Sequence, residues 1–309
     1  MLHINYRPQN FNEMIGNKGV IASLKSILER NKEDIPHAFL FSGQSGCGKT
    51  TLARIVAKEL GCPEKIEGEI NGDFVEINAA NSRGIDTARS IMNTMHYHPS
   101  VAKCRVWLID EAGQNTKDFQ AAMLKALEDS PKHAYFILCT TDPQKLLPTI
   151  KNRCSTFEVE NLNEDEIQEL LNWVLKEEDF DIPINVKEEI IIVADGCPRQ
   201  ALVILDQIID LPQEQMLDAV KDTNIDEKAV IDLCRAMLKN ATWKSLSTIL
   251  KGIKNEDPEK MRRAVLGYMS AVLLNTGDAK AALIIDCFKE TTFNTGFPGI
   301  VLAAFYTID

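Results

Sequence analysis

The stretch GQSGCGKT, Gly43 to Thr50, puts a lysine and a hydroxyl directly behind a run of small residues. Glycines let the backbone turn tightly, so that successive N–H groups converge on one point and suit phosphate oxygens. An apolar run precedes the stretch and an amphipathic one follows it, so a strand leads in and a helix N-terminus adds positive potential. In the pattern G-x-x-x-x-G-K-[ST], Lys49 reaches the β- and γ-phosphates of a nucleoside triphosphate and Thr50 ligates Mg²⁺. Gly43, Gln44, Ser45, Gly46, Cys47, Gly48 and Thr51 supply the rest of the cradle. Cys47 reads as a small loop residue, with a redox-active thiol as the alternative.

A second stretch, VWLIDEAGQN (106–115), runs an apolar strand into adjacent carboxylates. Burying an unpaired charge is costly, so Asp110 and Glu111 need a purpose. In phosphate-loop enzymes a strand beside the loop ends in an Asp that holds Mg²⁺, and the next Glu can polarise a water. Capping by Asp110 with a solvated Glu111 is the bland alternative.

Three further polar residues sit in suggestive places. FILCTTDPQ ends a strand at Thr140 and Thr141, where a hydroxyl either meets a γ-phosphate or satisfies a turn before Asp142-Pro143. Arg153, in TIKNRCSTFEV, either stabilises transition-state charge, in cis or from a neighbouring chain, or forms a surface ion pair. Arg199 lies in the first turn of a helix after Gly196-Cys197-Pro198, where a cation is mildly unfavourable, which suggests placement for an anion.

These residues need a scaffold, and the pattern supplies one. Buried strands are expected at 37–43, 73–79, 105–110 and 134–141, alternating with helices at 49–60, 85–95 and 116–128. Such alternation predicts a parallel sheet covered on both faces. NEDEIQELLNWVLKEE (163–178) opens with Asn163 and Glu166 in a capping arrangement. Only helical periodicity follows Pro212, at roughly 214–222, 227–240, 243–254, 258–275, 279–291 and 299–307, with NTGFPG (294–299) marking the last turn. The expected class is α/β, with a phosphate-loop domain over 1–158, a small helical lid over 159–212 and an all-α domain over 213–309.

The bulk composition narrows the function. Its 309 residues, 45% hydrophobic and 26% charged, are ordinary for a soluble globular protein. No apolar run approaches ~18 residues, so no membrane partner is expected. The start, MLHINYRPQN, lacks a basic segment followed by an apolar one and does not read as a signal peptide. The cysteines form no CxxC pair, which fits free thiols in a reducing cytosol. A net charge of −11 argues against nucleic-acid binding over the whole surface but allows a local basic strip.

Taken in order, the motifs resemble the clamp-loader branch of the AAA+ ATPases, the family of the bacterial DNA polymerase III gamma/tau subunits and the small subunits of replication factor C. YRPQNFNEMIGN (6–17) resembles its N-terminal box near the adenine, which implicates Tyr6, Arg7, Pro8, Ile15 and Gly16. NAANSRGID (78–86), VWLIDEA (106–112), CTTDPQKLLPTIKNRC (139–154) and GCPRQALVILDQ (196–207) are similar to further family stretches. The resemblance runs from about Tyr6 to Ile209, with only helical character matching the family's collar domain beyond it.

That resemblance implies a catalytic set of Glu111, Lys49, Thr141, Arg153 and Arg199. Thr50 and Asp110 would hold Mg²⁺, Thr141 would stand at sensor 1, Arg199 at sensor 2 on the lid, and Arg153 would reach the ATP of the adjacent subunit. Arg83 and Lys125 would face DNA or couple it to Glu111. The partners implied are a sliding clamp, other loader subunits in a pentameric ring or spiral, and primer-template DNA. Asn152 replaces a usual Ser without displacing Arg153. Gly113 replaces a larger residue and suggests a flexible loop after Glu111. Only Cys62 occupies the 61–73 segment where relatives often carry a four-cysteine module, so no zinc is expected. The long tail of the tau form is missing, which suggests a minimal loader subunit from a phage or compact bacterial replisome. A AAA+ DNA remodeller or branch-migration helicase is the alternative, disfavoured by helices where a winged helix would stand. A non-hydrolysing scaffold subunit is disfavoured because Lys49, Asp110 and Glu111 are all present.

Overall fold

The computed structural model describes residues 1–66, 69–222, 225–254, 258–292 and 295–308. They form two compact units, Met1–Met216 and Leu217–Asp309. Asn294 of NTGFPG, and residues 67–68 of the segment where relatives carry cysteines, lie outside the described residues.

The first unit opens with α1 (Leu2–Asn5) and α2 (Lys18–Leu28), then β1 (Ala38–Ser42) and α3 (Lys49–Glu59). A small antiparallel pair follows, β2 (Lys65–Ile66) with β3 (Glu69–Ile70). Next come β4 (Phe74–Asn78), α4 (Ile85–Thr94), β5 (Arg105–Asp110), α5 (Lys117–Glu128), β6 (Ala134–Thr140), α6 (Pro148–Lys151) and β7 (Ser155–Glu158). The helical part is α7 (Glu164–Glu177), α8 (Ile184–Ala194) and α9 (Pro198–Ile208). The main sheet is parallel, in the order β4-β5-β6-β1-β7.

Burial along the strands follows from that order. The central strands β1 and β6 are buried at every residue, whereas the edge strands β4 and β7 alternate. Helices on both faces require such continuous apolar runs in the middle. Because successive side chains point to opposite faces, Phe39, Phe41, Val106 and Leu108 join the core under α2 and α3, while Leu40, Trp107, Ile109 and Phe136 join the core under α4 and α5. Burying each of these large side chains contributes roughly 1.5–3 kcal/mol. Just ahead of β4, Asp73 accepts the backbone N–H groups of Ser100, Val101 and Ala102 at 2.8, 2.8 and 3.1 Å and faces Arg105 at 3.6 Å. Burial alone would raise its pKa, but these donors and Arg105 hold it below the usual carboxylate range. The start of β5 is thereby fixed.

The strand carrying Asp110 is separated from the strand that feeds the phosphate loop by β6. Parallel strands nonetheless bring all their carboxyl ends to one edge, and there a crevice forms where the chain switches direction along the sheet.

The second unit follows from α10 (Gln213–Asp222), which contains the boundary, through α11 (Ile225–Leu238), α12 (Trp243–Gly252), α13 (Pro258–Thr276), α14 (Ala279–Phe288) and α15 (Phe297–Phe305). Leu233, Val265, Met269, Ile284, Phe288 and Ile300 form its core. A buried ion pair staples it. Arg262 donates to both Glu259 oxygens at 3.0 and 2.6 Å and to the Phe288 carbonyl at 3.1 Å. Thr292 adds its N–H and hydroxyl to Glu259 at 3.0 and 2.9 Å.

The Arg262 bonds, opposed by burial and helped by Thr292, pull the Glu259 pKa from 4.5 down to about 2. A depressed carboxylate stabilises the fold above its unfolded pKa and loses that contribution as pH falls through the folded value. About 3 kcal/mol is therefore present above pH 4.5 and fades toward pH 2. In urea unfolding, the stability gap between the parent chain and Glu259→Gln is expected to shrink by ~2 kcal/mol from pH 7 to pH 3. A gap independent of pH would contradict this assignment. Among the described residues no helix is long and apolar enough to cross a membrane.

Candidate functional site

The phosphate loop leaves β1 at Gly43 and enters α3 at Lys49. Gly43, Gly46 and Gly48 have φ of 151°, 78° and 107°, which L side chains rarely adopt. Space is as restrictive as angle. A Cβ on Gly43 would stand 2.1 Å from the Val159 carbonyl oxygen, and one on Gly46 would stand 2.6 Å from Cys197 Sγ.

Lys49 is buried at 6% exposure, and its ammonium donates to the Gln44 carbonyl at 2.6 Å, with no carboxylate partner among the described residues. Thr50 Oγ1 donates to Asp110 Oδ2 at 3.0 Å, so the loop and the end of β5 meet across the intervening β6. Asp110 Oδ1 in turn accepts the Glu111 N–H at 2.9 Å. Glu111 itself is left-handed, with φ 53° and ψ 39°. That conformation costs a non-glycine residue of order 1–3 kcal/mol and persists only where its surroundings enforce it. It delivers Glu111 Oε2 to the Thr141 hydroxyl, which donates at 3.3 Å. The acid pair and the end of β6 thus form one polar cluster above the loop.

Gly113 explains how the cluster packs. A Cβ there would lie 2.8 Å from Thr140 Oγ1 and 3.0 Å from the Asp142 carbonyl oxygen. The glycine permits close approach of the 112–114 turn to the end of β6, so the flexible loop expected from it is not what stands there. Gly113→Ala is expected to lower ATP turnover more than tenfold while altering ATP affinity less than threefold, since it pushes Glu111 off Thr141 and spares the loop. Turnover and nucleotide titration on one preparation check this, and unchanged turnover would refute it.

The crevice is a cavity of about 150 Å³, roughly ten times the ~10–15 Å³ one water needs. Tyr6, Arg7, Pro8, Ile15, Ser45, Gly46, Cys47, Gly48, Lys49, Thr50, Thr51, Asp110, Glu111 and Arg199 all line it. Tyr6 stacks edge-on against Trp173 with ring centres 5.4 Å apart, and its hydroxyl donates to Glu178 at 2.7 Å, raising its pKa to about 12. Arg7 and Arg199 have no ion pair or hydrogen bond from their guanidinium groups among the described residues. Burial, then Arg54 and Arg199, lower the Arg7 pKa, so the cavity wall holds crowded cations suited to a polyanion. Cys47 is buried and its thiol pKa is raised by burial despite Lys49, which disfavours a redox-active thiolate.

Other expected residues lie outside the cavity. Gly16 packs its backbone against Leu162, Gly43 packs against the Val159 carbonyl, and Gln44 Oε1 accepts Asn161 Nδ2 at 3.3 Å. Among the described residues Thr141 meets the site through Glu111. Arg153 is exposed away from it, pairing with Glu128 and donating to the Thr149 carbonyl at 2.9 Å. Arg83 and Lys125 are exposed, and Lys125 has no side-chain bond among the described residues. Lys125 lies roughly 12 Å along its helix from Lys117. Among the described residues no hydrogen bond or ion pair joins that lysine to Asp110 or Glu111.

Sequence reasoning missed several participants. Met14, Leu162, Leu170 and Leu202 form apolar wall, and only the periodicity of α7 and α9 hinted at the leucines. Gln120 is buried on the apolar side of α5, donating to the Asn115 and Lys145 carbonyls at 3.2 Å each and accepting the Leu147 N–H at 2.8 Å. A polar residue at a core position, next to Phe119 and ahead of Met123, was the available signal.

No cluster of three or more His, Cys, Asp or Glu able to hold a metal occurs among the described residues. Mg²⁺ is commonly held by one or two protein oxygens plus substrate phosphates. Thr50 and Asp110 provide such a pair.

Comparison with known proteins places these features. Residues 16–163 match the family described as DNA polymerase III, delta subunit. The chain is 32% identical to the DNA polymerase III subunit tau of Bacillus subtilis, covering 87% of this chain and 51% of that one. It is 34% identical to the subunit gamma of Buchnera aphidicola, covering 68% and 61%. With the gamma/tau subunit of Mycobacterium tuberculosis it shares 34% identity over 94% and 54%. The chain thus spans about half to three fifths of these relatives' length. Among solved structures, the Thermotoga maritima RuvB Holliday junction branch migration motor superposes with a TM-score of 0.57 at 22% identity, over 73% of this chain and 78% of that one. That likeness concerns the AAA+ fold.

Proposed function

The chain belongs to the family of the DNA polymerase III gamma/tau subunits, AAA+ subunits of clamp loaders, and from that premise we propose that it is an ATPase motor subunit of a sliding-clamp loader. The observation that carries this reading is the polar cluster in which Thr50 bonds Asp110 while Glu111 is held by Thr141, beside cations that lack carboxylate partners. A subunit that only scaffolds has no use for a strained glutamate in that position.

Lys49 and the loop N–H groups would bind the β- and γ-phosphates, with Arg199 reaching the same nucleotide from the lid and Tyr6, Arg7, Pro8 and Ile15 bordering the base. Thr50 and Asp110 would hold Mg²⁺, which neutralises phosphate charge when bound. Glu111, released from the Thr141 hydroxyl, would accept a proton from the attacking water. Arg153, which does not line its own cavity, would serve the ATP of an adjacent subunit. We assign the parts as an AAA+ domain over 1–158, a lid over 159–212 and an assembling collar over 213–309. Binding of ATP would organise a pentameric ring or spiral that opens the clamp on primer-template DNA, and hydrolysis would release it. Arg83 and Lys125, exposed and cationic, are offered to the DNA backbone as a local strip on an acidic protein.

The branch-migration alternative rests on fold alone. Among the described residues the second unit contains helices and no strand, which does not suit a winged helix. Steady-state ATP turnover should rise with clamp, rise with primed DNA, and rise most with both. Absence of stimulation by either, from an assembly that turns over ATP alone, would overturn the loader reading.

A further inference from the structure

The partner of Arg153 has a consequence of its own. Arg153 Nη2 pairs with Glu128, the last residue of α5, and Nη1 donates to the Thr149 carbonyl at 2.9 Å, so the guanidinium is fixed from two sides. A carboxylate at a helix C-terminus opposes the helix dipole, so Glu128 weakens α5 locally and is not there for the helix. Its contribution is to the arginine.

The pair is also exposed, with side chains 32% and 48% accessible for Arg153 and Glu128. Exposed pairs are weak and exchangeable. A triphosphate, with several negative charges, outcompetes one solvated carboxylate for a guanidinium. The helix that ends at Glu128 begins just after the turn that holds Glu111, so the two chemistries stand at opposite ends of one rod about 18 Å long.

We propose that Glu128 is a positioning residue that holds Arg153 in reserve until the triphosphate of a neighbouring subunit takes it over. The inference rests on the reading that Arg153 acts on a neighbour's ATP. Removing Glu128 should leave the arginine free to engage that triphosphate without first leaving a carboxylate, and so raise turnover even when DNA is absent.

The test measures DNA-independent kcat for the full chain in its assembly, as parent, Glu128→Gln, Arg153→Ala and the double variant. Glu128→Gln is expected to raise kcat about two- to fivefold, the span an exposed pair supports. Arg153→Ala should lower it at least tenfold, and the double variant should match Arg153→Ala. A purely structural Glu128 would instead act equally with and without Arg153. If Arg153→Ala leaves kcat unchanged, the underlying reading fails and this inference with it. If Arg153→Ala acts as expected but Glu128→Gln leaves kcat unchanged, lowers it, or keeps its effect without Arg153, the role of Glu128 alone is overturned.

Discussion

Glu111→Gln is expected to lower ATP turnover by about 10²–10⁴-fold, the usual worth of a positioned general base, while ATP affinity stays within about threefold. The amide keeps the size of the side chain and can still meet the Thr141 hydroxyl through its oxygen, so the loop should not move. Asp110 and Thr50 remain bonded to each other, and the phosphate cradle is untouched. What disappears is the ability to take a proton. Affinity falling together with turnover would mean that Glu111 organises the loop. Turnover surviving would mean that another group is the base. The left-handed backbone at Glu111 favours its role as the base, because strain of that kind is kept where geometry is needed.

Mixing two inactive chains should restore activity. An Arg153→Ala chain keeps its own phosphate loop, and a Lys49→Ala chain keeps its arginine. In an assembly where the arginine crosses to the neighbour, a Lys49→Ala subunit completes the site of an Arg153→Ala subunit. Arginine fingers are worth about 10³–10⁵ in turnover, so restoration of even one active interface should exceed the sum of the separate preparations by orders of magnitude. Arg153 does not line its own crevice and pairs with Glu128 instead, which leaves it available to a neighbouring subunit. Should the mixture show only the sum of its parts, Arg153 acts in its own subunit or not at all. ATP binding by the Arg153→Ala chain is the control that its cradle is intact.

Much of this site was legible in residue order. Lys49, Thr50 and Asp110 were marked by local spacing, because a phosphate loop and a strand-terminal acid each depend on a few adjacent residues. The strands were legible for the same reason: β1 and β6 are continuous apolar runs since helices cover both faces. The order of strands was not. Nothing local says that β6 separates β5 from β1, because strand order depends on crossovers spanning a whole helix. Nor was the role of Gly113 legible. In sequence it reads as freedom, whereas close approach to Thr140 and Asp142 depends on two loops from different strands. Glu128 and Gln120 were missed because their partners, Arg153 and the 145–147 backbone, are distant along the chain. The helices after Pro212 were visible by periodicity, yet the Glu259–Arg262 staple depends on Thr292 and Phe288 arriving from later elements.

The most direct measurement of the central claim counts labelled clamps left on primed circular DNA after incubation with the chain, its partner subunits and ATP. The account predicts clamps on the DNA with ATP and none without nucleotide, and with Glu111→Gln a clamp, loader and DNA that stay together without release. Ordinary ATP turnover with no clamp placed on DNA, accompanied by processive movement of a branched junction, would contradict it.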